Sequence, residues 1–460
     1  MKIEKYILIS LLFLALVNFL VFSFDILFYR FDIDFSEGFM FVALKNLDNR
    51  LPVYQNPNEY FFNIIKYPPL FFLISFPFYK LFGLSLLSLR IVSATFFLLT
   101  VIILFKFLIC IKRDFISSTI FILFPIASTV VFWQTFQARP ELVALFFSVL
   151  SIFLSYIYNL KKDEKIFFLA LIFANFAFLT KQTFLAPILA IIIFYRRKFL
   201  QVVKFESIII VGLIVLNIIT DGNFFLQLTK FSLGLFLYRA DMMNLIYIQY
   251  GLLFLFSLIT IFLLKDKKYD LIKITFLISL ILNFILLIRD GSWIYYLLEP
   301  IFYSSILLYI FFVKGKNPLV RYVLIVLFIS ILIWNVFDKK PLTYLFNRDS
   351  YPPNVNYQAD LKIKNYIDKN NGNCYTENPS HLFMYDRIVP ESWLLIELFR
   401  NNIVDEDDFN FINNYSCLIF YSRVFLFPNF NEVISTYELK ERIVWTDINS
   451  NKLDVLVYER

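Results

Sequence analysis

Four short polar segments interrupt an otherwise apolar sequence. The first holds Asp32, Asp34 and Glu37, with Lys66 and Tyr67 further along the same stretch. The second reads Gln137-Ala138-Arg139-Pro140-Glu141 and the third Thr180-Lys181-Gln182-Thr183. The fourth is Arg289-Asp290-Gly291-Ser292-Trp293, followed by Tyr295, Tyr296 and Glu299. Carboxylates in such places can accept a proton, and fixed cations can balance negative charge. A charge at or inside a membrane boundary is costly unless it is paired, so these residues mark a candidate site if lipid is the solvent. Each also has a plainer explanation. Lys181 could snorkel from a tight turn, Arg139 and Glu141 could be an ordinary pair at a helix start, and Asp32 and Asp34 could cap a loop helix. Lys80 and Arg90 read as interface anchors. Glu299, about a turn and a half into an apolar run, is hardest to explain away.

The residue types that are missing narrow the chemistry. There is no Gly-rich phosphate loop. His381 is the sole histidine, and the three cysteines are not at metal-ligand spacing, so no metal site is expected. No cofactor is expected either, although a divalent cation stays open.

The elements that must position these residues follow from composition. Of 460 residues 59% are hydrophobic, 17% are charged and 60 are Phe, whereas a soluble domain is about half apolar and a quarter charged. The net charge of +7 is spread over short loops, which points to membrane topology and not to a nucleic-acid surface. The sequence therefore predicts an α-helical polytopic membrane protein with about eleven transmembrane helices, each needing roughly 20 apolar residues. Spans are expected at 5–28, 88–110, 115–134, 139–158, 166–180, 183–195, 205–220, 245–264, 271–288, 294–313 and 319–337. The first lacks a small-residue cleavage site and reads as an anchor, not a signal peptide.

Basic clusters at Lys2/Lys5, Lys112/Arg113, Lys161/Lys162/Lys165, Arg196/Arg197/Lys198, Lys265/Lys267/Lys268 and Lys314/Lys316 fix the orientation if all are cytoplasmic. Two crossings then separate consecutive clusters, except between the first two, where residues 67–84 are one apolar stretch too many. That stretch reads as a juxtamembrane helix in the outer leaflet. The count predicts a plasma-membrane protein with a cytoplasmic N-terminus, outer loops at 29–66 and 221–243, and all four polar segments on the outer face.

The transmembrane domain is expected over 1–337 and a small external α/β domain over 338–460. Strands are expected at 372–377, 417–421 and 453–457, and helices at 390–402 and 405–413. Cys374 and Cys417 fall at strand positions, where a disulfide or two buried thiols would both fit. Asn414-Tyr415-Ser416 is a glycosylation sequon of a kind common by chance.

In order and spacing, these segments resemble the glycosyltransferase C superfamily, the lipid-linked-sugar-dependent membrane enzymes that include protein O-mannosyltransferases and aminoarabinose transferases. Asp34-Phe35-Ser36-Glu37-Gly38 resembles the family's acidic motif, and Tyr67-Pro68-Pro69-Leu70 through Leu81-Phe82-Gly83 its juxtamembrane helix. Arg139-Pro140-Glu141-Leu142 is similar to its Arg-x-Asp signature, Leu179-Thr180-Lys181-Gln182-Thr183 to its outer Lys turn, and Ser292-Trp293…Glu299 to a late motif. One departure stands out: Ser36 occupies the place of the family's catalytic Asp. That leaves Glu37, preferred because it holds the acidic position of the motif beside Gly38, or Asp34 to serve as base, or else an inactive protein.

The resemblance implies an inverting transfer of sugar from a polyprenyl-phosphate donor to an acceptor hydroxyl on a glycan, lipid or protein. Lys181 and Arg139, with Arg239 or Arg289, would hold the leaving lipid phosphate, and Asp32, Lys66, Tyr67, Glu141, Gln182, Tyr295 and Glu299 would support the site. The competing reading is a non-catalytic lipid transporter or flippase. With 9 Gly in the chain and the polar groups gathered at one face, Gly-broken midplane helices are not in view.

Overall fold

The computed structural model describes residues 2–33, 37–56, 65–134, 136–229, 240–288, 294–314, 356–376, 381–382, 414–421, 435–446 and 452–459. Its first part is a helix bundle. Every expected span up to residue 313 is helical: α1 (Lys2–Phe28), α4 (Leu86–Ile111), α5 (Phe115–Ile126) with α6 (Thr129–Gln134), α7 (Glu141–Lys161), α8 (Glu164–Thr180), α9 (Ala186–Phe194), α10 (Phe199–Ile219), α12 (Ala240–Leu263), α13 (Asp270–Leu287) and α14 (Leu298–Lys314). The span expected at 319–337 lies outside the described residues. Among the described residues, five helical stretches are long and apolar enough to cross a membrane, and the chain is a polytopic membrane protein with a small C-terminal domain.

Burial sorts the bundle from centre to rim. α14 and α7 are central; Leu307, Leu308, Tyr309 and Ile310, and Val143, Val149 and Ile152, are all fully buried. Val202 is the buried residue of α10, whose Ile208, Val211 and Ile218 are exposed. The apolar run 115–134 is not one helix. Pro125 has no N–H to give the carbonyl four residues back. Ser305 of α14 donates to that carbonyl of Phe121 instead, and Ser128 restarts the chain as α6 by accepting from the Val131 amide at 3.3 Å.

Basic turns gather at one end of the bundle. Lys112 Nζ donates to the Val313 carbonyl near the end of α14 at 3.2 Å. Lys198 pairs with Glu164, and Tyr156 stacks on Tyr269, next to Lys267 and Lys268, with centroids 6.4 Å apart. The opposite end carries the start of α4, the start of α7, the end of α8 and a 3-10 turn, Ile294–Leu297. There lie the short α2 (Met40–Asp48) and α3 (Leu70–Phe82), the latter within the apolar stretch 67–84. Pro69 starts α3, and Gly83 ends it at a φ of 69°, a left-handed value that suits glycine. Lys80 pairs with Asp48 near the surface, as an interface anchor would.

In the C-terminal domain, α15 (Tyr357–Lys369) buries Ala359, Ile363 and Ile367, one stripe of an amphipathic helix. The sheet runs β1 (Cys374–Thr376), β2 (Cys417–Tyr421), β4 (Lys452–Glu459) and β3 (Glu438–Thr446) in spatial order, with β1 parallel to β2 and the other pairs antiparallel. Cys374 and Cys417 face each other in register and form a disulfide. The helices expected at 390–402 and 405–413 lie outside the described residues.

Candidate functional site

Lys181 follows the last residue of α8, where its backbone turns extended after donating to the Ala177 carbonyl. Arg139 sits two residues before α7, and Glu141 is that helix's first residue. The three meet. Glu141 Oε1 accepts from Lys181 Nζ at 2.8 Å and lies 3.2 Å from Arg139 Nη2. All three are buried, and Glu141 Oε2 has no hydrogen-bond partner among the described residues.

Aromatic faces enclose these cations. Lys181 Nζ lies 4.2 Å from the Tyr295 ring centroid, 4.9 Å from that of Tyr296 and 5.9 Å from that of Tyr67. Arg139 stacks over Tyr295 at 4.4 Å. The negative ring faces attract both cations and keep them in a poorly hydrated place. The rest of the outer loop is tied to this cage through its backbone. Gln182 Nε2 donates to the Lys66 carbonyl at 2.9 Å, and the Tyr54 hydroxyl donates to the Tyr67 carbonyl at 2.8 Å. Burial pushes the Tyr54 hydroxyl well above its usual range, which keeps it a donor. Gln227 of α11 (Asn223–Thr229) accepts from the Ile65 amide at 2.7 Å and donates to the Gln55 carbonyl at 2.6 Å.

Glu37 carries four hydrogen bonds. Its Oε1 accepts from Arg90 Nε at 2.9 Å and from the Ala138 amide at 2.8 Å. Its Oε2 accepts from Arg90 Nη2 at 2.6 Å and from the Ile33 amide at 2.9 Å. Both Glu37 and Arg90 are fully buried. Arg90, expected as an interface anchor, is therefore a core residue. It also donates to the carbonyls of Ile26 at 2.7 Å, Tyr29 at 2.5 Å and Phe31 at 3.0 Å.

No protein-family model matches the sequence, and no curated protein matches it significantly. Solved structures do match. Over 98% of this chain and 97% of the other, ArnT from Cupriavidus metallidurans bound to undecaprenyl phosphate aligns with a TM-score of 0.57 at 13% identity. Its apo state aligns over the same shares with a TM-score of 0.53 at 11% identity. This chain shares the ArnT fold.

Within the ArnT-like fold, the expected site residues divide. Arg139, Glu141, Lys181, Tyr67 and Tyr295 come together, with Gln182 and Lys66 linked to them. Asp32 is fully buried in the loop beside Glu37. Glu299 stands apart: its Oε1 accepts from Ser148 Oγ at 2.5 Å, and the same hydroxyl lies 2.7 Å from Tyr303 OH. Ser148 is seven residues beyond Glu141 along α7, about 10 Å deeper at a helical rise of ~1.5 Å per residue. Asp34, Arg239 and Arg289 lie outside the described residues. Sequence reasoning missed Tyr296 as part of the cage, although it was noted as Tyr295's neighbour, and missed Gln227 and Arg90. A charge at the fifth residue of an apolar helix was the available signal for Arg90.

Proposed function

We propose that this chain transfers a sugar from a polyprenyl-phosphate donor to an acceptor hydroxyl, with inversion at the anomeric carbon. One observation carries the reading. Two buried cations, Lys181 and Arg139, share one carboxylate inside a cage of tyrosines. A pair of fixed cations in a buried aromatic cage suits a leaving lipid phosphate, whose charge grows as the glycosidic bond breaks. Arg139 would grip two phosphate oxygens with its planar fork and Lys181 would act as a point charge. The similarity to ArnT, bound to undecaprenyl phosphate, supports the choice of a polyprenyl-phosphate lipid. The acceptor stays open.

The base is best sought in the segment Asp32 to Asp34, not at Glu37. A general base needs a lone pair for the incoming proton. The four hydrogen bonds on Glu37, two of them from a guanidinium, occupy its oxygens. Asp34 lies between Ile33 and Glu37, both of which that network pins, and is the stronger candidate. Glu37 then props the acidic loop and, through the Ala138 amide, the backbone next to Arg139.

Orientation follows the same logic. The basic turns share the end of the bundle away from the cage, which supports a cytoplasmic assignment for them and an outer one for the cage and the C-terminal domain. The test is to incubate the purified protein with a panel of polyprenyl-phosphate sugars and an acceptor extract, measuring free lipid phosphate. Release with at least one sugar is expected. Movement of the intact lipid-linked sugar across vesicles without any release would favour a flippase.

A further inference from the structure

The loop after α1 touches both parts of the molecule. On its inner side, the carbonyls of Tyr29 and Phe31 accept from Arg90. On its other side, the Tyr29 hydroxyl donates to Asp360 Oδ2, in the first turn of α15. The second Asp360 oxygen lies 3.1 Å from His381 Nε2, and the His381 ring packs on Phe31 with centroids 4.8 Å apart. Asp360 is fully buried and His381 1% exposed, so the contact belongs to the interior.

We infer that Asp360 is a positioning residue, through which the C-terminal domain sets the conformation of the acidic loop and thereby the turnover of the site proposed above. The inference rests on that functional reading for its catalytic consequence but not for the mechanical coupling. A carboxylate with a hydroxyl on one oxygen and an imidazole on the other is fixed in direction, and it fixes Tyr29 in turn. Tyr29 is four residues before Ile33, whose amide anchors on Glu37. A change at Asp360 therefore travels through Tyr29 and Phe31 to Asp32 and Ile33, and through Glu37 to Ala138. This chain of contacts comes nearest the Lys181 cage at the Ala138 amide, next to Arg139, so donor-lipid binding should lose less than turnover.

The experiment uses the full-length protein in detergent micelles. Backbone amide exchange is followed by mass spectrometry on peptides covering 29–33 and 145–155, in the wild type, Asp360→Ala and Tyr29→Phe. Tyr29→Phe removes one hydroxyl, keeps the ring and the carbonyl held by Arg90, and serves if Asp360→Ala fails to fold. Exchange at 29–33 should rise about tenfold, the scale of losing one charge-assisted hydrogen bond, while 145–155 stays unchanged. Turnover should fall about tenfold, with undecaprenyl phosphate affinity within twofold of wild type. Unchanged exchange at 29–33 in a folded Tyr29→Phe variant would overturn the coupling. Equal losses in lipid binding and turnover would overturn the positioning role, since a merely structural defect does that. A wild type that releases no lipid phosphate would defeat the functional reading and leave the exchange result to decide the coupling.

Discussion

Arg90→Met tests the Arg90–Glu37 pair as a structural core. The substitution keeps much of the side chain's apolar length and removes the guanidinium. Glu37 would keep the amides of Ile33 and Ala138 but lose both charged donors in a fully buried place. Three carbonyls, those of Ile26, Tyr29 and Phe31, would lose a donor as well. Breaking one side of a buried ion pair costs about 3–5 kcal/mol, or a factor of roughly 10² to 10³ or more at ~1.4 kcal/mol per tenfold. At about 2 °C per kcal/mol or less for a large chain, the thermal midpoint should fall by several degrees. The assay is tryptophan fluorescence against temperature at a fixed scan rate, with Glu37→Met and the double variant run alongside. Replacing both partners by apolar side chains is often neutral. The double variant should therefore recover a good part of the loss from either single change. A single variant that melts with the wild type, or a double variant that sums the two losses, would refute the buried pair.

The other predictions are briefer. Asp34→Asn should cut turnover by about 10²–10⁴, the usual contribution of a general base, whereas Glu37→Gln should chiefly lower the thermal midpoint; the reverse pattern in lipid-phosphate release would return the base to Glu37. Cys374→Ser should destabilise the C-terminal domain: closing a loop with a sequence separation of 43 contributes about 4 kcal/mol by the chain-entropy estimate. Pulse proteolysis with and without reductant would show it, and equal cleavage would refute a stabilising disulfide. A single cysteine near residue 315 should label only from the cytoplasmic side and one after 345 only from outside; labelling from one side alone would overturn the topology.

The residues legible in the sequence were those whose cost was obvious. Arg139, Glu141 and Lys181 stand among apolar residues, and a charge there needs a partner, so their meeting was foreseeable. Arg90 was not read in the same way, because so near a helix start a long side chain can reach the interface cheaply. Its partner lies 53 residues earlier, a distance that no periodic pattern encodes. The run 115–134 looked continuous because composition is blind to the backbone donor that Pro125 lacks. β3 went unseen because Glu438-Leu439-Lys440-Glu441-Arg442 has the charge of a surface turn; it is the last strand in the sheet order, paired on one side with β4, where charges are tolerated. The stripe Ala359, Ile363 and Ile367 was available and would have marked α15. The contact of Tyr29 with Asp360 spans most of the chain and only the fold could bring it about.

The central claim is that the caged cations hold a lipid phosphate, and the most direct test is the affinity of the purified protein for undecaprenyl phosphate in wild type, Lys181→Ala and Lys181→Arg. A hydrogen bond to a charged group contributes about 1.5–3 kcal/mol, so Lys181→Ala should weaken binding by about ten- to a hundredfold. Lys181→Arg, which keeps the charge but changes the geometry, should lose less. Raising the salt concentration should weaken wild-type binding only slightly, because the cage is buried. If Lys181→Ala bound undecaprenyl phosphate as tightly as the wild type, the cage would be a structural knot of charge and not a phosphate site.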